Sequence, residues 1–215
     1  HNMPGMPIGN FETRSGPIMS AEDNFEIQLI GIGGHASKPQ AGKETMLPAC
    51  SLITELQTIV SRRIDPTDIA VVSVTELITD GSRNILPGLS RILGDARSFR
   101  SEVSLAIENE MTVITAGIAS TYGLDYSISY TREFIPLIND DKLAEHAIKV
   151  GQKVFGTERA KLADRPVTGS EDFARFLNHV PGCYVFFGNG ENSAPLHNSS
   201  YDFNDDALKH GVNYL

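Results

Sequence analysis

Phe25-Glu26-Ile27-Gln28-Leu29 alternates apolar and polar residues without a break. A period of two marks a half-buried strand with Phe25, Ile27 and Leu29 on the inner face. Gly31, Gly33 and Gly34 end the run. Next, Ala49, Leu52, Ile53, Leu56, Ile59 and Val60 recur at three and four residues, which predicts an amphipathic helix over about 45–62. Asp65-Pro66 stops it, because a proline disfavours helical geometry in the residue before it. Ala70-Val71-Val72-Ser73-Val74-Thr75 is β-branched and reads as a second strand. Asp80-Gly81-Ser82 is a turn signal, and a third strand fits about 90–97. Val103, Ile107, Met111, Ile114 and Ile118 mark a second helix, and Tyr126, Ile128 and Tyr130 alternate as a fourth strand.

The order β-α-β-β-α-β over 23–133 predicts a ferredoxin-like sandwich, one sheet with two helices on one face. Such a sheet leaves an edge strand able to pair with a second copy. Residues 1–22 are rich in Gly and Pro and read as loop and short extended pieces. Past Pro136, a helix fits 140–155, capped by Asn139 or Asp140, with Leu143, Ala147, Val150 and Val154 inward. Ser170 reads as the cap of a short helix over 171–178, which puts Glu171 and Asp172 in its first turn, where the helix dipole favours them. Tyr184-Val185-Phe186-Phe187 reads as a strand buried on both faces, and Asn204 as the cap of a last helix. The expected class is therefore α/β (α+β). With one clear strand, the segment 134–215 is not expected to close a core alone.

The 215 residues are 40% hydrophobic, carry a net charge of −9 and have a pI near 5.1. That balance argues against nucleic acid, whose phosphates need clustered Lys and Arg. No apolar run approaches the roughly 18 residues of a membrane span, and the first residues do not read as a secretory signal. Cys50 and Cys183 lie far apart in apolar segments and read as buried free thiols rather than a disulfide, which fits a reducing cytoplasm. The chain opens on His1 and ends at Asn213-Tyr214-Leu215 within helical pattern, so it is expected to be a piece of a longer protein.

His146 sits in a helix among charged neighbours and reads as a solvated surface residue, and His179 and His210 lie near helix ends and read as structural. His1, His35 and His197 differ, each lying in a stretch rich in Gly, Asn or Ser. Neither an HExxH nor a paired CxxC spacing is present, so residue types alone give a weak metal signal. On that reading the chain could equally be a non-catalytic dimerisation or ligand-binding module.

Four blocks stand in a telling order: His1-Asn2-Met3-Pro4-Gly5, Gly33-Gly34-His35-Ala36-Ser37, Gly169-Ser170-Glu171-Asp172-Phe173, and the run from Leu196-His197-Asn198 to Asp205-Asp206. Together they resemble the M20 family of metal-dependent amidohydrolases and peptidases, in the branch of hippurate hydrolases, N-acyl-amino-acid hydrolases and auxin-conjugate hydrolases. The resemblance implies a lid and dimerisation domain of ferredoxin-like fold at 23–133, inserted between catalytic-domain segments at 1–22 and 134–215. It implies that His1 and His197 are metal ligands, in a site holding two divalent ions, zinc foremost, with manganese, cobalt and nickel open. His35 matches the insertion-domain histidine that reaches a partner's active site and supports the oxyanion of amide hydrolysis. Asn84 and Arg97 match the residues that hold a substrate carboxylate, for which an Arg fork is suited. Glu171 is a further candidate for a role near the site on this reading, and Asp202 or Asp205 a candidate to orient His197.

The implied activity is hydrolysis of the amide bond in an N-acyl amino acid, peptide or similar small conjugate, by a cytoplasmic homodimer. Two departures qualify it. The family's His/Cys-Gly-His-Asp segment and Glu-Glu pair, which supply the other ligands and the general base, do not occur in these residues. Where relatives show Asp-Pro after the Gly-Gly-His block, this chain has Gly42-Lys43-Glu44-Thr45-Met46-Leu47-Pro48.

Overall fold

A computed structural model describes all residues, 1–215. The chain divides into two compact units, His1–Met19 with Leu137–Leu215, and Ser20–Pro136. The first unit opens with β1 (Asn2–Pro4), β2 (Phe11–Thr13) and β3 (Gly16–Met19). The second runs through β4 (Glu22–Ile30), β5 (Gly34–His35), α1 (Met46–Thr58), β6 (Ala70–Thr79), β7 (Ile85–Leu86), β8 (Leu89–Ser98), α2 (Ser101–Tyr122) and β9 (Asp125–Phe134). The chain then returns to the first unit with β10 (Leu137–Asn139), α3 (Asp141–Phe155), β11 (Ala160–Leu162), α4 (Ala174–Leu177), β12 (Phe186–Gly190) and α5 (Leu208–Tyr214).

In the Ser20–Pro136 unit, β6, β8, β4 and β9 lie side by side in that order as an antiparallel sheet. Phe25, Ile27 and Leu29 of β4 are buried, as their alternation requires, against Leu52 and Leu56 of α1 and Ile107 and Met111 of α2. Each such side chain contributes about 1.5–3 kcal/mol by leaving water. The other face of β4 is polar. There Arg91 grips Glu26 with two hydrogen bonds of 2.7 and 2.8 Å. Those bonds, with that from Gln28 and the Arg91 charge, outweigh the opposing effect of desolvation and pull the Glu26 carboxyl down to about 2. At Gly94 a Cβ would lie 2.2 Å from the Ser73 carbonyl and 2.3 Å from the Phe25 ring, so the strand needs glycine there. The first helix stops sooner than its pattern predicts, and Ile59–Arg63 form a wider π-turn in which Ile64 N–H donates to Ile59 C=O (3.1 Å).

In the other unit, β1, β12, β2 and β11 form a mixed sheet, and β3 pairs antiparallel with β10. Phe11, Ala147, Ile148, Phe155 and Ala160 make its buried cluster. The Asp140 carboxylate accepts from Leu143 N–H and caps α3. The inward stripe of α3 is Ala144, Ala147, Ile148, Gly151 and Phe155, and Leu143 and Val154 are exposed instead. Close packing decides this: a Cβ on Gly151 would stand 2.9 Å from the Phe11 ring, so the helix approaches the sheet most closely along a stripe that includes glycine and alanine.

Three further expectations are corrected. Only Ala174–Leu177 is helical near the Ser170 motif, so Glu171 and Asp172 precede the helix rather than form its first turn. The strand β12 begins at Phe186, not Tyr184, because Tyr184 is bonded by side chains instead of a neighbouring strand. Asn139 Oδ1 accepts from its N–H (2.7 Å), and Asn139 Nδ2 and Thr13 Oγ1 donate to its carbonyl (3.0 and 2.8 Å). Both cysteines are free, but Cys50 is exposed on α1, turned away from inward-facing Ala49 and Leu52, and Cys183 is half-buried. No helix is long and apolar enough to cross a membrane.

Candidate functional site

His1 stands at the head of β1, which runs parallel to β12 with Asn2 opposite Phe187. The His1 backbone nitrogen donates to the Val185 carbonyl at 2.8 Å. Its ring Nδ1 lies 2.6 Å from the Asn2 carbonyl oxygen. A carbonyl can only accept, so Nδ1 carries a proton, and in the neutral ring Nε2 is left with the lone pair. A ring whose Nδ1–H is held by a backbone carbonyl is one of the two tautomers in which a histidine can ligate a metal.

Tyr184 lies beside this ring, with 6.4 Å between ring centroids. Its hydroxyl donates to Glu171 Oε2 at 2.6 Å. Burial pushes the Glu171 carboxyl up, but the bonds from Tyr184, Asp172 and the Phe173 N–H, with the charge of His1, outweigh it and hold the carboxyl below its ordinary value. The neighbouring Asp172 carboxyl is pushed up, first by its hydrogen bond to Glu171 and then by that residue's charge. The sequence points to Glu171 but places Tyr184 in a buried strand. Its hydroxyl gave no signal until the turn at Asp172-Phe173 brought Glu171 against it.

His197 is the one non-glycine residue with a left-handed backbone, at φ 64°. Such a conformation costs of order 1–2 kcal/mol for a residue with a side chain, so the surrounding loop must impose it. Asn189, fully buried in β12, does much of that. Its Nδ2 donates to Ser193 Oγ (3.2 Å) and to the Asp202 carbonyl (3.1 Å), and its Oδ1 accepts from Asn204 N–H (2.9 Å). Both ends of the His197 loop are thus fixed to one amide, a role no sequence pattern announced. Asn2 Nδ2 donates to the Tyr201 hydroxyl, which ties the strand after His1 to the segment after His197.

The Ser20–Pro136 unit holds the other three candidates. His35 lies on β5 and pairs with Ile85 of β7, and Ala36 N–H donates to the Asn84 carbonyl at 2.9 Å. This brings His35 and Asn84 together on one two-stranded ribbon. Gly33 lets the ribbon close, since a Cβ there would come 2.9 Å from the Leu86 carbonyl. Arg97 is on β8 and is engaged already. Its Nε donates to Asp95 Oδ1 (2.8 Å) and its Nη1 lies 3.0 Å from Glu22 Oε2. Partial burial disfavours its charge, but Asp95 and Glu22 more than compensate and raise its pKa.

No three His, Cys, Asp or Glu side chains come together in a group that could hold a metal ion. These 215 residues therefore hold no complete metal-ligand set.

The family model described as Peptidase family M20/M25/M40 matches residues 1–215. The chain is 34% identical over 214 residues to the hippurate hydrolase of Campylobacter jejuni, covering 100% of this chain and 56% of that protein. It is 30% identical over 216 residues to an N-acetylcysteine deacetylase of Bacillus subtilis, again covering 100% of this chain and 56% of the relative. The chain thus spans about half the length of the curated relatives it matches. Among solved structures, a dinuclear metal-binding M20 peptidase of Bacillus subtilis shares the fold with a TM-score of 0.80 at 24% identity, covering 100% of this chain and 53% of that one.

Proposed function

The chain belongs to peptidase family M20/M25/M40, and from that premise we propose that it is part of a metal-dependent amidohydrolase cleaving the amide bond of N-acyl amino acids or similar small conjugates. The observation that carries this reading is similarity along the whole chain to a hippurate hydrolase and an N-acetylcysteine deacetylase. Both names describe removal of an acyl group from an amino-acid nitrogen. His1 and His197 are the chain's metal ligands in this proposal. The His1 tautomer and the imposed backbone of His197 support it. Two divalent ions, zinc foremost, would act as Lewis acids and lower the pKa of a bound water. The remaining ligands and the general base are assigned to the part of the relatives that these residues do not cover.

The Ser20–Pro136 unit is assigned as the ferredoxin-like lid and dimerisation domain, which its strand order supports. Its edge strand β6 exposes Val71, Leu77 and Ile78, a surface suited to pairing with a second copy. In the proposed homodimer, His35 of one copy supports the oxyanion in the site of the other. Asn84 and Arg97 hold the substrate carboxylate, Arg97 through the N–H donors that Asp95 and Glu22 leave over. A cytoplasmic location belongs to the same proposal, supported by the two free cysteines.

The test is release of free amino acid from N-acyl substrates by the intact protein. Chelation is expected to abolish it, and zinc, manganese, cobalt or nickel to restore it. His197→Ala should reduce the bound metal. A protein that binds no divalent ion and releases no amino acid would instead be a non-catalytic dimerisation or ligand-binding module.

A further inference from the structure

In their neutral forms the rings of His35 and His1 would carry the proton on opposite nitrogens, because different groups face Nδ1 in each. At His35 the ring Nδ1 faces Ser37 twice. Ser37 N–H lies 3.1 Å from it and Ser37 Oγ 2.8 Å. A backbone amide can only donate, so Nδ1 must present its lone pair. The hydroxyl, sharing that lone pair, donates as well. In the neutral ring the proton is then on Nε2, at the far end of the side chain. The loop that makes this arrangement is itself held, by Lys38 N–H to the His35 carbonyl (2.8 Å) and Ala36 N–H to the Asn84 carbonyl (2.9 Å).

We infer that Ser37 is a positioning residue that selects the Nε2–H tautomer of His35 and so fixes an outward hydrogen-bond donor. Nothing in a Gly-Gly-His sequence requires this. With no donor at Nδ1, the neutral ring would divide between two tautomers, and in one of them an acceptor would face the negative oxygen of the reaction. The inference rests on the oxyanion role proposed for His35 only in its kinetic consequence. The tautomer stands on local geometry alone.

Two measurements on the intact protein separate these. The first is nitrogen NMR with labelled histidine at alkaline pH, with the His35 signals identified by their loss in His35→Gln. Wild type is expected to show the proton on Nε2, and Ser37→Ala a measurable shift towards the Nδ1–H form. A wild-type ring protonated on Nδ1, or evenly divided, overturns the inference.

The second is kinetics. Ser37→Ala removes one of two donors to Nδ1 and is expected to lower kcat about fivefold with KM little changed. Ser37→Thr restores the hydroxyl and should recover kcat. His35→Gln, whose amide nitrogen falls near Nε2, should retain more kcat than His35→Asn, whose amide falls near Nδ1. Equal tautomer populations and equal kcat in wild type and Ser37→Ala would defeat the positioning role. If His35→Ala keeps full kcat while the NMR result holds, the oxyanion reading fails and the tautomer assignment survives.

Discussion

His197 shows what a single residue can report. Its left-handed backbone is unfavourable for histidine, yet the loop anchored on Asn189 holds it there. Glycine at this position would relieve the backbone strain but lose conformational entropy on folding, and the two effects are each about 1 kcal/mol. His197→Gly is therefore expected to leave the urea midpoint almost unchanged while sharply weakening zinc binding by the intact protein, measured by competition with a chelating dye. An equal loss of both would mean that the ring is a structural part. Asn189→Ala should do the reverse of the first effect, lowering stability by about 1–3 kcal/mol because buried loop groups lose their partner. At this scale the sequence marked His1, His35 and His197 as unusual by their surroundings. It could not show which ring nitrogen His1 and His35 present, because that depends on the Asn2 carbonyl and the Ser37 amide and hydroxyl turning towards them.

At the scale of elements, periodicity located strands and helices well wherever a face is buried against a large core. In α3 it misplaced the stripe, because close approach to Phe11 selects Ala144, Ala147 and Gly151, which carry little hydrophobic signal. The Ser170 segment misled for a related reason. A cap-like residue predicts a helix start, but the turn through Asp172-Phe173 instead turns Glu171 to Tyr184. On the sheet, the depressed carboxyl of Glu26 gives a signed expectation. Its folded value near 2 lies below the ordinary 4.5, so the Arg91 pair stabilises the fold above about pH 4.5 and loses that contribution as pH falls towards 2. The stability gap between wild type and Glu26→Gln should close over that window and shrink at high salt, since the pair is exposed. A gap independent of pH would show that the pair acts through packing alone. At Gly94, alanine would collide with the Ser73 carbonyl and the Phe25 ring, and is expected to cost about 2 kcal/mol or more in chemical denaturation.

For the whole molecule, β3 and β10 set Met19 opposite Leu137, so the chain leaves for the Ser20–Pro136 unit and returns from it at neighbouring points. A unit whose ends meet and whose core is its own should fold when excised. Residues 20–136 expressed alone are expected to unfold in one cooperative urea transition, and a gradual, non-cooperative loss of helical signal would contradict this. The sequence by itself determined the β-α-β-β-α-β order, the charge that disfavours nucleic acid, and the blocks that mark the family, because period, composition and motif are local properties of the chain. Only the tertiary structure decided that Asn2 meets Tyr201, that Asn189 anchors the His197 loop, and that His35 sits beside Asn84. Those contacts join residues distant along the chain, and a hydrogen bond depends on where two groups stand in space rather than on which residues lie between them.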